Sequence, residues 1–298
     1  MSSTRPLKIA VLGAGGVGST FALQLSKVGR HEVTVIARPD SVRLQQLQRD
    51  GGIIRDNGER AVAKVADRLN EDVLYDLVIV TLRAHEVSGV LATLQRSSAK
   101  HILFMFNNFD PQPLVEAIGA ERCSFGMPFV QGVVNNEGQL HAKIGTSQKS
   151  ILSRQCWVDL FVAAGLPAAR EQEMLLWLRC HAPLCVAFES VSAAAMRRGG
   201  GASWEESMVL GRGVHECFVL IQKLGYELYP SGKSRLSRSP IWVVAGMLWS
   251  MSRLPSFRRL LARGAGESRA LVETMAAQAI QYNVAVSLGA IRAMSPIS

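Results

Sequence analysis

The sequence predicts an α/β protein in which a doubly wound, mostly parallel sheet is followed by an all-helical domain. Short apolar runs of strand length alternate with helix-like segments up to about residue 166. A glycine-rich turn follows the first of these runs, and beyond it the apolar residues keep helical spacing. We therefore predict two domains, a nucleotide-binding domain over residues 1–168 and a helical domain over residues 169–298.

Composition excludes a disordered chain and leaves the role of the charge open. Of 298 residues, 48% are hydrophobic and 19% are charged, so the chain can bury a large core. The formal charge is +9, and the segment 231–298 holds nine basic and two acidic residues. Such a segment fits nucleic acid, an anionic membrane, an acidic substrate or a solvated face.

The cysteines predict neither a disulfide framework nor a metal site. Their number, five, is odd, and no CxxC pair or Cys/His zinc spacing is present. We expect reduced thiols in a cytoplasmic protein. The N-terminus leads straight into a strand-like run, so we expect no signal peptide. The apolar run Ile241–Met251 is shorter than the ~20 residues of a membrane-spanning helix.

The first forty residues carry the most specific pattern. A strand-like run, Leu7–Leu12, meets the G-x-G-x-x-G sequence of residues 13–18, and a helix pattern follows over Ser19–Val28. A second strand is predicted over His31–Ala37, which completes a βαβ unit. The helix N-terminus of such a unit offers N–H groups and partial positive charge to a pyrophosphate.

Each glycine of the turn has a predicted part. Gly13 permits the tight turn, Gly15 lets the backbone approach the pyrophosphate, and Gly18 lets helix and strand pack closely. The alternative is a glycine-rich turn that binds nothing. The predicted cofactor-binding residues of the turn are Gly13, Ala14, Gly15, Gly16, Val17 and Gly18.

The residue after the second strand indicates which dinucleotide is preferred. NAD sites place Asp or Glu there, whereas this chain has Arg38, twenty positions after Gly18. A guanidinium binds the 2′-phosphate of NADP in bidentate fashion, and a carboxylate repels it. We therefore predict NADP(H) as cofactor, with a solvated loop arginine as the alternative.

Further strand and helix patterns complete the sheet and the helical domain. Two buried strands, Leu77–Leu82 and His101–Phe106, end at Arg83 and Asn107, at the edge where such sheets bind ligands. The segment 229–240 is predicted as a flexible loop. Helices are predicted over Glu171–Arg198, Trp204–Leu224, 240–250, 255–263 and 267–294.

Several of these segments together resemble a known family. The segments are KIAVLGAGGVGSTFALQLSKVGRHEVTVIAR, LVIVTLRAHEV, FNNFDP, HAKIG, WLR at 177–179 and KLGYELYP at 223–230. In this order they are similar to the ketopantoate reductase (2-dehydropantoate 2-reductase) family. The resemblance implies a Rossmann domain, a helical C-terminal domain, and NADPH-dependent reduction of a 2-oxo acid or related small ketone by hydride transfer in the interdomain cleft.

The resemblance also implies roles for single residues. Arg83 stands where the family has a cofactor-binding lysine, and Asn107 (or Asn108) stands for the asparagine near nicotinamide and substrate. Arg179 replaces the family's proton-donating lysine. A guanidinium is a poor acid, so Arg179 is predicted to stabilise alkoxide charge, with an ion-paired structural arginine as the alternative.

Two substrate contacts and the partners follow from the same comparison. Ser256 and Glu267 are matched to substrate-binding positions, while Pro183 and Ala187 replace two family asparagines. These departures favour a divergent paralogue and leave a non-catalytic NADP(H)-binding sensor as the alternative function. We expect a small-molecule carbonyl substrate, no nucleic acid and no membrane contact beyond a minor alternative through residues 241–263. A homodimer is left open.

Overall fold

The structure, a computed structural model, describes residues 5–145, 148–261 and 265–296. The chain divides into two compact units. Unit 1 comprises Met1–Phe106 and Gln112–Met174, and unit 2 comprises Asn107–Pro111 and Leu175–Ser298. The division differs from the predicted boundary at residue 168 because that residue begins a strand of the sheet, and because the loop 107–111 is grouped with the helical unit.

Unit 1 is built around an eight-stranded sheet and confirms the predicted α/β class. Strands β1–β12 are, in chain order, Lys8–Leu12, Glu32–Ile36, Gly52–Ile54, Arg60–Val62, Lys64–Ala66, Leu77–Val80, Ile102–Met105, Cys123–Met127, Gln131–Val134, Leu140–Lys143, Ser150–Leu152 and Ala168–Arg170. The sheet order is β12-β11-β8-β7-β6-β1-β2-β5, and β11 runs antiparallel to β8 while the other pairs are parallel. Two hairpins, β3-β4 and β9-β10, lie outside this sheet.

Helices cover the sheet of unit 1. The helices α1–α5 are Gly16–Lys27, Val42–Asp50, Ser88–Arg96, Gln112–Ile118 and Gln155–Ala163. The strands β6 and β7 are buried along their whole length, as expected of central parallel strands covered on both faces. On one face Phe21 of α1 meets Phe161 of α5 edge-on, with ring centroids 5.0 Å apart. This packing fixes the start of α1 against the carboxyl end of β1.

Unit 2 is helical. The helices α6–α12 are Met174–Arg198, Trp204–Lys223, Ser231–Ser237, Ile241–Met251, Pro255–Leu261, Ala265–Gln281 and Leu288–Arg292. A capping box begins α7, in which the Ser203 hydroxyl accepts from the Glu206 amide and the Glu206 carboxylate accepts from the Ser203 amide. Among the described residues α6 has the length and apolar composition of a membrane span, and 67% of that span is buried within the protein.

Two predicted segments of unit 2 are wrong. The segment 229–240 is not a loop, because α8 forms within it. The predicted single helix 267–294 is interrupted between α11 and α12, where Asn283 adopts a left-handed φ of 49°. Asparagine tolerates this conformation, and Ser287 then caps α12. Arg263 and Gly264, which belong to the predicted basic segment and to the region before Glu267, lie outside the described residues.

Candidate active site

The glycine turn of unit 1 is tightly packed at two of its three motif positions. Gly13 has φ of 112°, and a Cβ there would lie 2.8 Å from the Thr81 hydroxyl oxygen. A Cβ on Gly18 would lie 1.9 Å from the Gly13 carbonyl oxygen. The turn and the start of α1 therefore require glycine at both positions, for reasons internal to the protein.

Gly15 differs, because the space beside it is open. It is the N-cap of α1, and its position has no side-chain cap and no acidic residue in the first turn. A Cβ on Gly15 would meet nothing within 4 Å. A ligand could therefore fit beside Gly15 at the start of α1, where the helix dipole favours an anion.

Gly16 serves a packing role that the motif does not reveal. A Cβ on Gly16 would lie 1.9 Å from the carbonyl oxygen of Gly132 in β9. A Cβ on Gly132 would in turn lie 2.2 Å from the Gly16 carbonyl oxygen. Gly16 was predicted as a cofactor contact, and its lack of a side chain is explained by this close approach of two backbones.

Arg43 holds the glycine turn in place through three hydrogen bonds. Its Nε donates to the Ala14 carbonyl at 3.1 Å, its Nη1 to the Gly138 carbonyl at 2.8 Å, and its Nη2 to the Ser19 hydroxyl at 3.0 Å. Burial lowers the pKa of Arg43 from its ordinary value. Sequence reasoning misses this residue, because its three partners lie 24 to 95 positions away in the chain.

The two predicted phosphate-binding arginines are exposed. Arg38 follows β2 and Arg83 follows β6, both at the carboxyl edge of the parallel strands. The loop after Arg38 is held by Ser41, whose hydroxyl donates to the Arg38 carbonyl at 2.7 Å and accepts from the Leu44 amide. Neither guanidinium has an ion pair within the described residues.

In unit 2, Arg179 is a buried ion-paired residue. Its side chain is 4% exposed, and its Nη2 lies 2.8 Å from Asp110 Oδ1. The guanidinium also packs on the rings of Tyr226 and Phe109, 4.2 and 5.3 Å from their centroids. Gln278 donates to the other Asp110 oxygen at 2.8 Å. Asp110 is therefore the ion-pair partner of Arg179, as in the alternative expected for this arginine.

Two predicted site residues, Arg179 and Asn107, each have one buried polar atom whose hydrogen-bonding capacity is unused within the described residues. Arg179 Nη1 and Asn107 Oδ1 are buried and have no hydrogen-bond partner within the described residues. Buried polar atoms without partners are costly and uncommon, and the described residues hold four others, in Arg55, His101, Ser192 and Arg258. A free donor and a free acceptor in one unit fit a small polar ligand that carries both groups.

The structure distinguishes the two neighbouring asparagines. Asn107 Nδ2 donates to Glu267 Oε1 at 3.2 Å, so two predicted site residues lie together. Asn108 instead accepts from the Asp110 amide at 2.9 Å and shapes the loop. Ser256, the other predicted substrate contact, is exposed in α10. Of these residues, Asn107 and Glu267 are the ones that the fold brings together.

A polar stripe on α6 borders the same pair. His181, Cys185 and Glu189 are four residues apart, so they lie on one face of the helix. His181 Nε2 is 3.0 Å from Cys185 Sγ, and Ser268 donates to Glu189. Burial, followed by the carboxylates of Glu189 and Glu267, raises the pKa of the Cys185 thiol.

Lys233 of α8 completes this cluster and was missed by sequence reasoning. It is 9% exposed, and its Nζ lies 4.5 Å from the centroid of the Trp177 ring and 3.3 Å from the Trp177 carbonyl oxygen. Trp177 stacks on His181 with ring centroids 4.2 Å apart. Burial, and then the Lys233 ammonium, lower the pKa of His181 to about 3. Within the described residues, no group of three His, Cys, Asp or Glu side chains could hold a metal ion.

Comparison with known proteins agrees with this architecture. Residues 9–151 match the family model described as ketopantoate reductase PanE/ApbA. The 2-dehydropantoate 2-reductase of Bacillus subtilis (strain 168) is 33% identical over 103 residues, which cover 34% of this chain and 33% of that protein. The chain thus matches only about a third of the length of its curated relatives.

Solved structures share the fold over nearly the whole chain. A PanE/ApbA family ketopantoate reductase from Ralstonia eutropha JMP134 has a TM-score of 0.73 at 20% identity, covering 97% of this chain and 96% of that one. D-mandelate dehydrogenase solved with NADH has a TM-score of 0.72 at 17% identity, with the same coverage. Over residues 9–151 the chain is thus similar to the ketopantoate reductase family, and over 97% of its length it shares the fold of these solved structures.

Proposed function

We propose that the chain is an NADPH-dependent reductase of a 2-oxo acid or related small ketone. The observation that carries the proposal is the geometry of Gly15, where an uncapped helix N-terminus faces open space at the carboxyl edge of a parallel sheet. The residues present therefore fit the pyrophosphate of a dinucleotide. The match of residues 9–151 to the ketopantoate reductase model supports the same activity, and D-mandelate dehydrogenase, of similar fold, was solved with NADH.

The residues of unit 1 would hold the cofactor. The backbone of Gly15, Gly16 and Val17 would bind the pyrophosphate, and Arg38 would bind the 2′-phosphate, which favours NADPH over NADH. Arg83 would add positive charge near the phosphates. When bound, the reduced nicotinamide supplies the hydride that adds to the carbonyl carbon.

The residues of unit 2 would bind and polarise the substrate. Arg179 Nη1 is a buried donor that fits a carbonyl or carboxylate oxygen, and its fixed charge would stabilise a developing alkoxide. Asn107 Oδ1 is a buried acceptor that fits a hydroxyl or amide N–H. A 2-hydroxy acid carries groups of both kinds, and its 2-oxo precursor carries the oxygens that Arg179 fits. Hydride transfer between the domains, cytoplasmic location and a homodimer stay predictions.

The non-catalytic sensor is the weaker candidate. Unit 2 buries Arg179 and Lys233 and places Glu189 and Glu267 beside Cys185. Buried charges lower the stability of a protein. A protein that only binds a nucleotide in unit 1 does not need such charges in unit 2. The sensor hypothesis predicts NADPH binding without oxidation.

Two measurements test the proposal. The protein is first titrated with NADPH and NADH by the change in nucleotide fluorescence, and we expect NADPH to bind at least about tenfold more tightly. A panel of 2-oxo acids is then added while NADPH absorbance is followed, and we expect steady oxidation with at least one of them. The proposal fails if neither nucleotide binds, or if NADH binds better.

A further inference from the structure

We propose that Lys233 is a further catalytic residue, the proton donor to the substrate's carbonyl oxygen. This assignment rests on the proposed reductase function. It starts from the two most buried cationic side chains among the described residues, Arg179 at 4% and Lys233 at 9% exposure, which both belong to unit 2. A reduction of a carbonyl needs one proton as well as the hydride, so one group in the site has to supply it.

Arg179 is unsuited to that task. Its guanidinium does not give up a proton at accessible pH, and Asp110 holds it at 2.8 Å. An ammonium is different, because lysine readily changes protonation state in a buried site. Arg179 supplies fixed charge, and Lys233 supplies the proton.

The surroundings of Lys233 place it at the polar cluster. Its ammonium lies over the face of Trp177, which stacks on His181, and His181 contacts Cys185. Glu189 lies one turn after Cys185 on α6 and accepts from Ser268, whose neighbour Glu267 accepts from Asn107. Lys233 thus lies in the same cluster as the Asn107–Glu267 pair. Beyond the effect of burial, the Lys233 charge lowers the pKa values of Cys180, His181 and Cys185. The carboxylates of Glu189 and Glu267 are the other charged groups around Cys185.

His181 is excluded as the donor by its own surroundings. Burial and the neighbouring ammonium keep the imidazole neutral at physiological pH. A neutral imidazole is a far weaker acid than an ammonium. Its stacking on Trp177 and its contact with Cys185 instead give His181 a positioning part beside Lys233.

The step balances without another reactant. Hydride adds to the carbonyl carbon, the C=O π pair moves to oxygen, and that oxygen takes the proton from Lys233 Nζ. The dihydronicotinamide is oxidised, the ketone is reduced to the alcohol, and the neutral amine regains its proton from water. In the reverse direction the neutral amine of Lys233 accepts the alcohol proton.

The test compares Lys233→Met, Lys233→Arg and the control Arg235→Met in the full chain. Arg235 is an exposed cation on the same helix, so its loss matches the change in net charge. Turnover of the best 2-oxo acid is measured against pH, and oxamate binding to the NADPH-loaded protein is measured by calorimetry. NADPH affinity and the melting temperature show whether each variant is folded.

We expect Lys233→Met to lower kcat by at least about 100-fold and to weaken oxamate binding about tenfold, with NADPH affinity unchanged. Lys233→Arg keeps the charge, so it binds oxamate but loses kcat similarly. The wild-type rate falls at high pH as the donor loses its proton, and this dependence is absent in Lys233→Met. Arg235→Met behaves like the wild type.

The outcomes separate the two proposals. If the wild type reduces a 2-oxo acid and folded Lys233→Met or Lys233→Arg stays within about twofold of it in kcat, the assignment of Lys233 is wrong while the reductase function stands. The assignment of Lys233 is also wrong if the rate of Lys233→Met falls at high pH as the wild-type rate does. If the wild type neither turns over any 2-oxo acid nor binds oxamate, both proposals fall together.

Discussion

The two units prepare their sites in opposite ways. Unit 1 does so by leaving side chains out, since Gly15 offers bare backbone N–H groups and open space. Unit 2 does so by burying charge, since Arg179 is held by Asp110 and Lys233 by the Trp177 ring and carbonyl. A site of backbone groups is fixed by local conformation, whereas a site of buried charges depends on partners from distant parts of the chain. The first kind is visible as a motif and the second is not.

The largest expected effect comes from removing the partner of the buried arginine. Asp110→Ala leaves Arg179 charged, buried and unpaired, so we expect the free energy of unfolding to fall by about 3–5 kcal/mol. Denaturant unfolding measures it. The control is Asp67→Ala, which breaks the exposed pair with Arg68 and should lower the free energy of unfolding far less, because solvent screens that pair. Equal losses in the two variants would show that the unit 2 pair is no different from a surface pair.

The buried histidine of unit 2 predicts acid sensitivity. The pKa of His181 is lowered from 6.5 to about 3, so the unfolded state binds the proton first as the pH falls. The contribution of His181 to the free energy of unfolding is therefore fully present above pH 6.5. It is lost as the pH falls towards 3, by up to about 1.4 kcal/mol per pH unit. His181→Phe, which retains a ring on Trp177, should lose less stability between these pH values. A change of the exposed His85 to Gln should leave the wild-type slope, and an unchanged slope in His181→Phe contradicts the account.

The glycines of unit 1 give a matched pair of variants. Gly18→Ala puts a Cβ 1.9 Å from the Gly13 carbonyl oxygen, so we expect it to cost about 1–3 kcal/mol of stability and to abolish NADPH binding. Gly15→Ala meets no protein atom within 4 Å, so the melting temperature should stay while NADPH affinity falls about tenfold. If Gly15→Ala binds NADPH as the wild type does, the pyrophosphate does not lie at this turn.

The smallest expected effect is on cofactor choice. Arg38→Ala should weaken NADPH binding about tenfold and leave NADH binding nearly unchanged, because only NADPH carries the 2′-phosphate. Arg60, exposed on β4, provides the control. An equal loss for both nucleotides would assign Arg38 to general phosphate attraction instead.

The sequence predicted the sheet and the glycine turn because both are encoded by local patterns. Apolar runs such as Leu77–Leu82 predict buried strands, and six successive residues predict the turn. The pairing of Arg179 with Asp110 spans 69 positions and has no spacing rule. Lys233 lies in a Pro-, Gly- and Ser-containing stretch that indicates a loop, and its burial arises only when α8 packs beside Trp177.

Hydride transfer from NADPH to a 2-oxo acid is tested most directly by following the transferred hydrogen. NADPH carrying deuterium at the transferable 4-position is incubated with the protein and the 2-oxo acid that oxidises it, and the product is analysed by mass spectrometry. We expect a 2-hydroxy acid with one deuterium on C2, formed in equal amount to the oxidised cofactor. NADPH binding without any labelled product, across the panel of 2-oxo acids, would contradict this expectation.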